Sequence, residues 1–351
     1  MIEVREYNDL DSGAYDQCIV SSPHSLIYPT RPFLSFLQEV TGGKIHCLLA
    51  EEDGQILGVF PSLEKRDERF GTVYNSLPWY GSYGGCTLAE DSSTQVRSRL
   101  VEAWSSMLQN CNDLLTATTV LTPFEEKHRE SYSSIVVNGT IDSRIGQLTP
   151  LPCGGAGFEE RLMEVFSQKT RNLVRKSLKQ SFSLIASDDE WAWRFLCETH
   201  HENMAAIGGI PKPKAHFDAL RRHIPASWRE VLIATISGKP VAALLILFFN
   251  KTVEYITPVI KHDYRSQQPL SFLIWHGMVR AVERGFAWWN WGGTWYTQKS
   301  LHHFKACWGA LDMPYTYLIT RGNDALGRLK REIDAVRAAY SYFYFYPFDQ
   351  L

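Results

Sequence analysis

Two stretches of this chain, with turn glycines 184 residues apart, carry the same hairpin signature, and this repetition constrains the fold more than any other feature. The first, HCLLAEEDGQILGVFPSLEK (His46 to Lys65), is an apolar run, an Asp-Gly turn and a second apolar run. The second, REVLIATISGKPVAALLILFF (Arg229 to Phe249), repeats the arrangement with Ser-Gly at the turn. Glycine supplies the positive φ that tight hairpins need, so both read as two-stranded β-hairpins. A third strand follows each: GTVYNSLP (Gly71 to Pro78) and KTVEYITP (Lys251 to Pro258), with Thr72-Val73 matching Thr252-Val253 and Pro78 matching Pro258. Helical segments come next, over 93–108 and 271–284, and each leads to another strand, Leu114 to Leu121 and Phe286 to Trp291. Hairpin, strand, helix, strand, met twice in that order, predicts a duplicated α/β (α+β) domain. A chain of 351 residues is long enough for two. The Pro- and Gly-rich TPLPCGGAG (Thr149 to Gly157) sets the boundary, giving domains 1–150 and 151–351, the second ending in a helix and an aromatic tail.

Charge and cysteine content narrow the class. A net charge of −2 gives no global attraction to nucleic acid or membrane, so any grip on a polyanion is local and no DNA partner is expected. The N-terminus, MIEVREYNDL, lacks a signal-peptide core, and the longest apolar run, Val241 to Phe249, is far short of the roughly 20 residues of a spanning helix. The seven cysteines form no CxxC pair and are odd in number, which suits free thiols in a reducing cytoplasm and no zinc site. A cytoplasmic location and no metal are the expectations.

Three segments carry chemistry. SLPWYGSYGGCT (Ser76 to Thr87) packs three aromatics and three glycines where the third strand of the first repeat gives way to its helix. The corresponding place in the second repeat is VIKHDYRSQQPLS (Val259 to Ser271); ligands of open α/β sheets favour such strand ends. QKTRNLVRKSLKQ (Gln168 to Gln180) forms an amphipathic helix with Lys169, Arg171, Arg175, Lys176 and Lys179 on one side and Leu173, Val174, Ser177 and Leu178 on the other. No acid occurs between Gln168 and Asp188, so these cations are either a solvated face or a phosphate-binding surface, with Arg171 and Asn172 suited to bidentate contacts. GFAWWNWGGTWYTQKSLHHFKACWGA (Gly285 to Ala310) runs from a Trp-rich strand through Gly292-Gly293 to a short helix over 298–306 bearing His302, His303, Phe304 and Lys305. A lysine among apolar rings either stabilises developing negative charge or snorkels past a tryptophan. His200-His201 with Glu202 lacks the HExxH spacing for zinc, and neither GxSxG nor GxxxxGKS/T occurs.

Taken in order, SLPWYGSYGG, KTRNLVRKSLKQ, QPLSFLIWHGM and FKACWGA, covering roughly residues 45 to 315, resemble the FemAB-like branch of the GNAT acyltransferases, relatives of the peptidoglycan interpeptide-bridge aminoacyltransferases. The resemblance implies two tandem GNAT-like domains, each a mixed sheet flanked by helices, with a cleft between them. It implies transfer of an acyl or aminoacyl group from an activated donor, in the bridge enzymes aminoacyl-tRNA, to a small-molecule or peptide amine. The family's Phe-Lys falls on Phe304 and Lys305, the lysine being assigned to the charge of the reacting carbonyl. One departure matters: ordinary GNATs hold the CoA pyrophosphate with a loop of the form Q/R-x-x-G-x-G/A, whereas Arg265 to Leu270 here reads RSQQPL, without glycine and with a proline that has no N–H. Aminoacyl-tRNA is therefore the expected donor cosubstrate, acyl-CoA the alternative, and no resident cofactor is expected. In this reading Lys305 and Phe304 sit at the reacting carbonyl, Glu254 or His303 accepts the amine proton unless water does, Tyr255, Tyr83 and Trp308 wall the cleft, and Arg171, Asn172, Arg175, Lys176 and Arg265 bind the donor. An acyl-CoA N-acyltransferase acting on an amino sugar or amino acid and a non-catalytic RNA- or nucleotide-binding protein are the rival readings.

Overall fold

The computed structural model describes residues 1–77, 83–90, 92–323 and 325–347. Pro78 to Ser82, including Gly81 and hence the centre of the SLPWYGSYGGCT segment, lie outside the described residues. Thirteen strands are described: β1 (Glu3–Glu6), β2 (Lys44–Glu52), β3 (Gln55–Asp67), β4 (Gly71–Asn75), β5 (Thr87–Leu88), β6 (Leu114–Val120), β7 (Thr140–Pro150), β8 (Ser183–Ser187), β9 (Arg229–Ile236), β10 (Lys239–Phe249), β11 (Thr252–Ile260), β12 (Trp288–Thr294) and β13 (Leu311–Arg321). The helices that matter here are α1 (Ser12–Ser21), α2 (Arg31–Thr41), α3 (Thr94–Gln109), α4 (Phe158–Val165), α5 (Gln168–Leu178), α6 (Glu190–Ala205), α7 (Lys214–His223), α8 (Pro269–Glu283) and α9 (Lys299–Cys307). The chain forms two compact units, Met1–Arg144 with Pro314–Leu351, and Ile145–Met313.

Within the first unit the strand order is β1-β2-β3-β4-β6-β13, and within the second it is β8-β9-β10-β11-β12-β7. The two orders are equivalent. In each, a hairpin (β2–β3 or β9–β10) is followed by an antiparallel third strand (β4 or β11) and a parallel pair (β4–β6 or β11–β12). Both hairpin turns have positive φ at both central residues, 53° and 79° at Asp53-Gly54 and 49° and 75° at Ser237-Gly238. This is the turn geometry that matches the right-handed twist of the flanking strands. The duplication read from the sequence is thus present down to the turn dihedrals.

The sixth strand of each unit comes from an unexpected part of the chain. β7 precedes its own unit's helices and pairs antiparallel with β12, from Trp288–Pro150 to Thr294–Ile145. β13 is the last strand in chain order among the described residues and pairs antiparallel with β6, from Tyr317–Val120 to Arg321–Thr116. The division expected at 150/151 therefore differs from this grouping in where it puts 145–150 and 314–351. A Pro- and Gly-rich stretch reports local backbone freedom, whereas the grouping follows long-range strand pairing.

The apolar run Val241 to Phe249 is the heart of the second unit. Every residue of it is buried, because β10 has a strand on each side and helices over both faces. Its hydrophobicity is that of a central strand, and among the described residues no helix is long and apolar enough to cross a membrane. Over β10 lies α8, apolar nearly all round, with Pro269 at its first turn, where a missing N–H costs nothing. Gly277 in α8 is there for contact: a Cβ would meet Trp289 Cη2 at 2.8 Å and Leu232 Cδ1 at 3.3 Å. Alanine would gain up to about 1 kcal/mol of helix propensity. Forcing a methyl against a buried tryptophan costs about 1–3 kcal/mol. Gly277→Ala is therefore expected to lower the urea midpoint of the second unit's unfolding despite the better helix former, and a raised midpoint would contradict this packing.

Candidate active site

β11 and β12 run parallel for only three residue pairs, Thr252–Trp288, Val253–Trp289 and Glu254–Asn290. Beyond them β11 continues to Ile260 and β12 to Thr294, each held by its other neighbour, so the two strands open into a wedge. Both strands are irregular near this point: the β10–β11 register slips between Leu245 and Ile246, and the β12–β7 register between Asn290 and Gly293. On the β12 side the bend is made by Gly292, at φ 73°, whose N–H is taken by Asn290 Oδ1 at 2.8 Å. Only glycine adopts that φ without strain.

The bend turns two carbonyls toward α9, and Lys305 meets them. Its Nζ donates to Gly292 O and Gly293 O, both at 3.2 Å, and to Thr294 Oγ1 at 2.7 Å. A network continues inward: Thr294 Oγ1 donates to Gln147 Oε1 at 2.9 Å, and Gln147 Nε2 donates to His302 O and Asp312 Oδ1. Lys305 is 4% exposed, and burial brings its pKa down from 10.5 to about 8. The ammonium is desolvated yet has oxygen for each of its three donors. This is the arrangement in which a buried cation is tolerated.

Aromatic rings cluster around Trp291, just before the glycine bend of β12. Trp291 lies 4.9 Å from Tyr255, 5.8 Å from Phe304 and 6.1 Å from Trp308, centroid to centroid. Trp308 and Trp291 are buried, Tyr255 is half-buried, and Phe304 is 40% exposed at the outer end. Burial pushes the Tyr255 hydroxyl well above its ordinary pKa. The Trp-Gly of FKACWGA has a packing reason, since Gly309 (φ 77°) abuts Val165 so closely that a Cβ would lie 2.3 Å from its Cγ1. Glu254 is buried at the last paired position, the apex of the wedge, whereas His303 is exposed on α9 with its ring against Cys307 Sγ at 3.4 Å. Tyr83 belongs to the first unit, buried between Tyr28 and Tyr315 and lining a cavity of about 170 Å³ with His24, Phe124, Arg97 and Glu125.

The basic helix is present as α5, capped by Ser167, whose own N–H bonds to Cys307 O at the end of α9. Thr170, Val174 and Ser177 are its buried residues, while Leu178, expected on the apolar side, is exposed at the last turn. Arg171 is engaged locally, donating to Phe166 O and Gln168 Oε1, and Asn172 accepts from Gln168. Lys169, Arg175, Lys176 and Lys179 are exposed, and among the described residues none of them has a carboxylate partner. Lys176 Nζ reaches Ser266 O at 3.2 Å, which sets the cationic face of α5 beside the turn His262–Gln267 and the start of α8, where Arg265 is also exposed. In that turn Gln268 adopts φ 65°, the conformation glycine would take, and its side chain bonds Arg265 O and Ser271 Oγ.

Residues 166–305 match the family model described as the acetyltransferase (GNAT) domain. The second unit is thus a GNAT-type acyltransferase domain. Across the whole chain the fold is that of FemX: the two share 12% identity, cover 93% of this chain and 99% of that one, and superpose with a TM-score of 0.73. The C-terminal domain of a putative lysylphosphatidylglycerol synthetase from Agrobacterium fabrum is also similar (12% identity, 97% and 100% covered, TM-score 0.57), as is a tandem GNAT protein from the clavulanic acid biosynthesis pathway (9%, 92% and 98%, 0.51). No curated protein sequence matches the chain. The expected tandem-GNAT, FemAB-like fold is the one observed.

Lys305 links the wedge to stability. Its pKa is depressed on folding, so the unfolded chain binds more protons than the native one between about pH 8 and 10.5. Stability must therefore rise with pH across that window. From pH 7.5 to 9.5 the gain of the parent protein over Lys305→Met is expected to be about 2 kcal/mol, measured by urea unfolding of the second unit. A difference independent of pH would mean that the ammonium is solvated.

Proposed function

We propose that the second unit transfers an aminoacyl group from aminoacyl-tRNA to an amine, forming an amide. The observation that carries this reading is the cationic face of α5 joined to the start of α8 through Lys176 and Ser266. A helix N-terminus is a ready anion site when its first N–H groups are open to the ligand. Here Pro269 removes one of them, and Gln268 lays its side chain across the turn in place of a glycine. A CoA pyrophosphate, which needs close backbone approach, is disfavoured by both features. Exposed lysines and arginines along a neighbouring helix suit a backbone with several phosphates. The likeness to a putative lysylphosphatidylglycerol synthetase is in keeping with aminoacyl transfer.

In this reading the acyl carbonyl enters the wedge with its oxygen toward Lys305. The bonds to Gly292 O and Gly293 O are long at 3.2 Å, so the ammonium exchanges one of them for the developing oxyanion while keeping Thr294. In a desolvated site such a donor stabilises the tetrahedral state more than the ground state. Glu254, at the apex, takes the proton of the attacking amine and returns it to the tRNA ribose oxygen, which leaves as a hydroxyl when the tetrahedral state collapses. His303 faces Cys307 and serves the helix instead.

Lys305→Ala is expected to lower kcat by about 10²–10³-fold with a much smaller change in KM. Unaltered kcat in the folded variant would remove Lys305 from the chemistry. For the donor, changing Lys169, Arg175 and Lys176 together to Gln spares Arg171 and its helix-start bond. Affinity for charged tRNA should fall, and the slope of log K against log[salt] should become shallower by about 2–3. Calorimetry with acetyl-CoA provides the counter-test: micromolar binding to the second unit would favour the acyl-CoA reading.

A further inference from the structure

One segment of the first unit is held chiefly by side chains of other strands. Phe343 to Pro347 forms neither strand nor helix, yet Phe343, Phe345 and Tyr346 are buried. At its centre Tyr344 donates its N–H to Asn75 Oδ1 at 2.8 Å, and its carbonyl accepts from Asn75 Nδ2 at 2.7 Å and from Thr118 Oγ1 at 3.0 Å. The Asn75 amide thus pairs with the Tyr344 backbone as a neighbouring strand would. The Tyr344 ring lies 4.6 Å from that of Tyr317, centroid to centroid, and its hydroxyl donates to Asp142 Oδ2 at 2.5 Å. These four anchors stand on β4, β6, β13 and β7, so the groove that receives this strap is built without the residues that lead into it.

The connection into the strap is strained. The helix Ile333–Ala339 ends beside β4, where the Tyr340 hydroxyl donates to Gly71 O at 2.6 Å. Ser341 to Phe343 alone separate that anchor from Tyr344, and the Phe343 N–H turns back to Tyr340 O at 3.0 Å. To close so tight a turn, Tyr342 takes φ 73°, and among the described residues it is the one aromatic residue at positive φ. A bulky side chain in the left-handed region is an outlier, and such strain amounts to a factor of about 5–150 in an equilibrium constant. Extending Tyr342 relieves this strain but carries the strap away from its own groove.

We infer that the strap is an interface with a second copy of this chain: two molecules exchange residues 343–347, each laying its strap in the other's groove with Tyr342 extended. The grooves are identical, so every anchor is remade in the exchanged pair, while both hinges relax. Opposing exchange is the effective concentration of a tethered strap, about millimolar for a short link. Relief at two hinges, roughly 25-fold or more together, then sets a dimer dissociation constant of about 40 µM or tighter. The test is analytical ultracentrifugation of the full-length protein over about 5–500 µM, a range that brackets this value. A concentration-dependent dimer is expected. Tyr342→Gly, which adopts that φ without strain, should weaken it at least tenfold. Tyr342→Pro, whose ring forbids a positive φ, should strengthen it. Exchange also governs the kinetics, because the dimer cannot dissociate until its straps lift out. Asn75→Ala removes the same bonds from the closed and exchanged forms. It should therefore leave the dissociation constant within about threefold of the parent's, yet speed dissociation of the isolated dimer at least tenfold. If that variant does not fold, Thr118→Val, which removes a single bond to the strap, should act in the same direction. A monomer throughout the range, a dimer indifferent to Tyr342→Gly, or a dissociation rate unmoved by loss of the anchor would overturn the exchange.

Discussion

The short parallel pairing of β11 and β12 governs everything else in the second unit. Three residue pairs hold the strands together, and then each is captured by a different neighbour. A backbone that leaves its ladder must satisfy its polar groups elsewhere. Gly292 and Gly293 do so through Lys305, which is why a charged side chain is buried at this point. In the proposed reaction the same bonds also hold the ammonium ready for the acyl carbonyl, so that one side chain would serve both the backbone and the chemistry.

Much of this was legible in the sequence. The hairpin signatures at Asp53-Gly54 and Ser237-Gly238 fixed the repeat because a two-residue turn with two positive φ values tolerates few residue types. Val241 to Phe249 announced a central strand through its length and continuous apolarity. Lys305 stood out among aromatic residues, but its partners did not: Gln147 lies more than a hundred residues earlier, and backbone carbonyls leave no trace in a sequence.

The basic helix shows where pattern reading stops. A wheel separates a polar from an apolar side, and α5 does bury Val174 and Ser177. It does not distinguish Arg171, bonded to the helix's own start, from Lys176, which crosses to the neighbouring turn. Equal charge on one face thus conceals unequal duties. The contact at Ser266 gives the helix a relation to α8 that its composition alone could not.

The origin of β13 has a consequence for the life of the nascent chain. The partners in the β6–β13 ladder lie about 200 residues apart, so β6 emerges from the ribosome long before the strand that covers it. Its sequence, LLTATTV, is rich in β-branched threonine and valine, carries no charge and is buried at every residue in the finished protein. Until the last stretch of chain is synthesised, that open edge can recruit a strand from another polypeptide. Crowded polysomes and slow translation of the second half would prolong the hazard, and an N-terminal half expressed alone would never escape it.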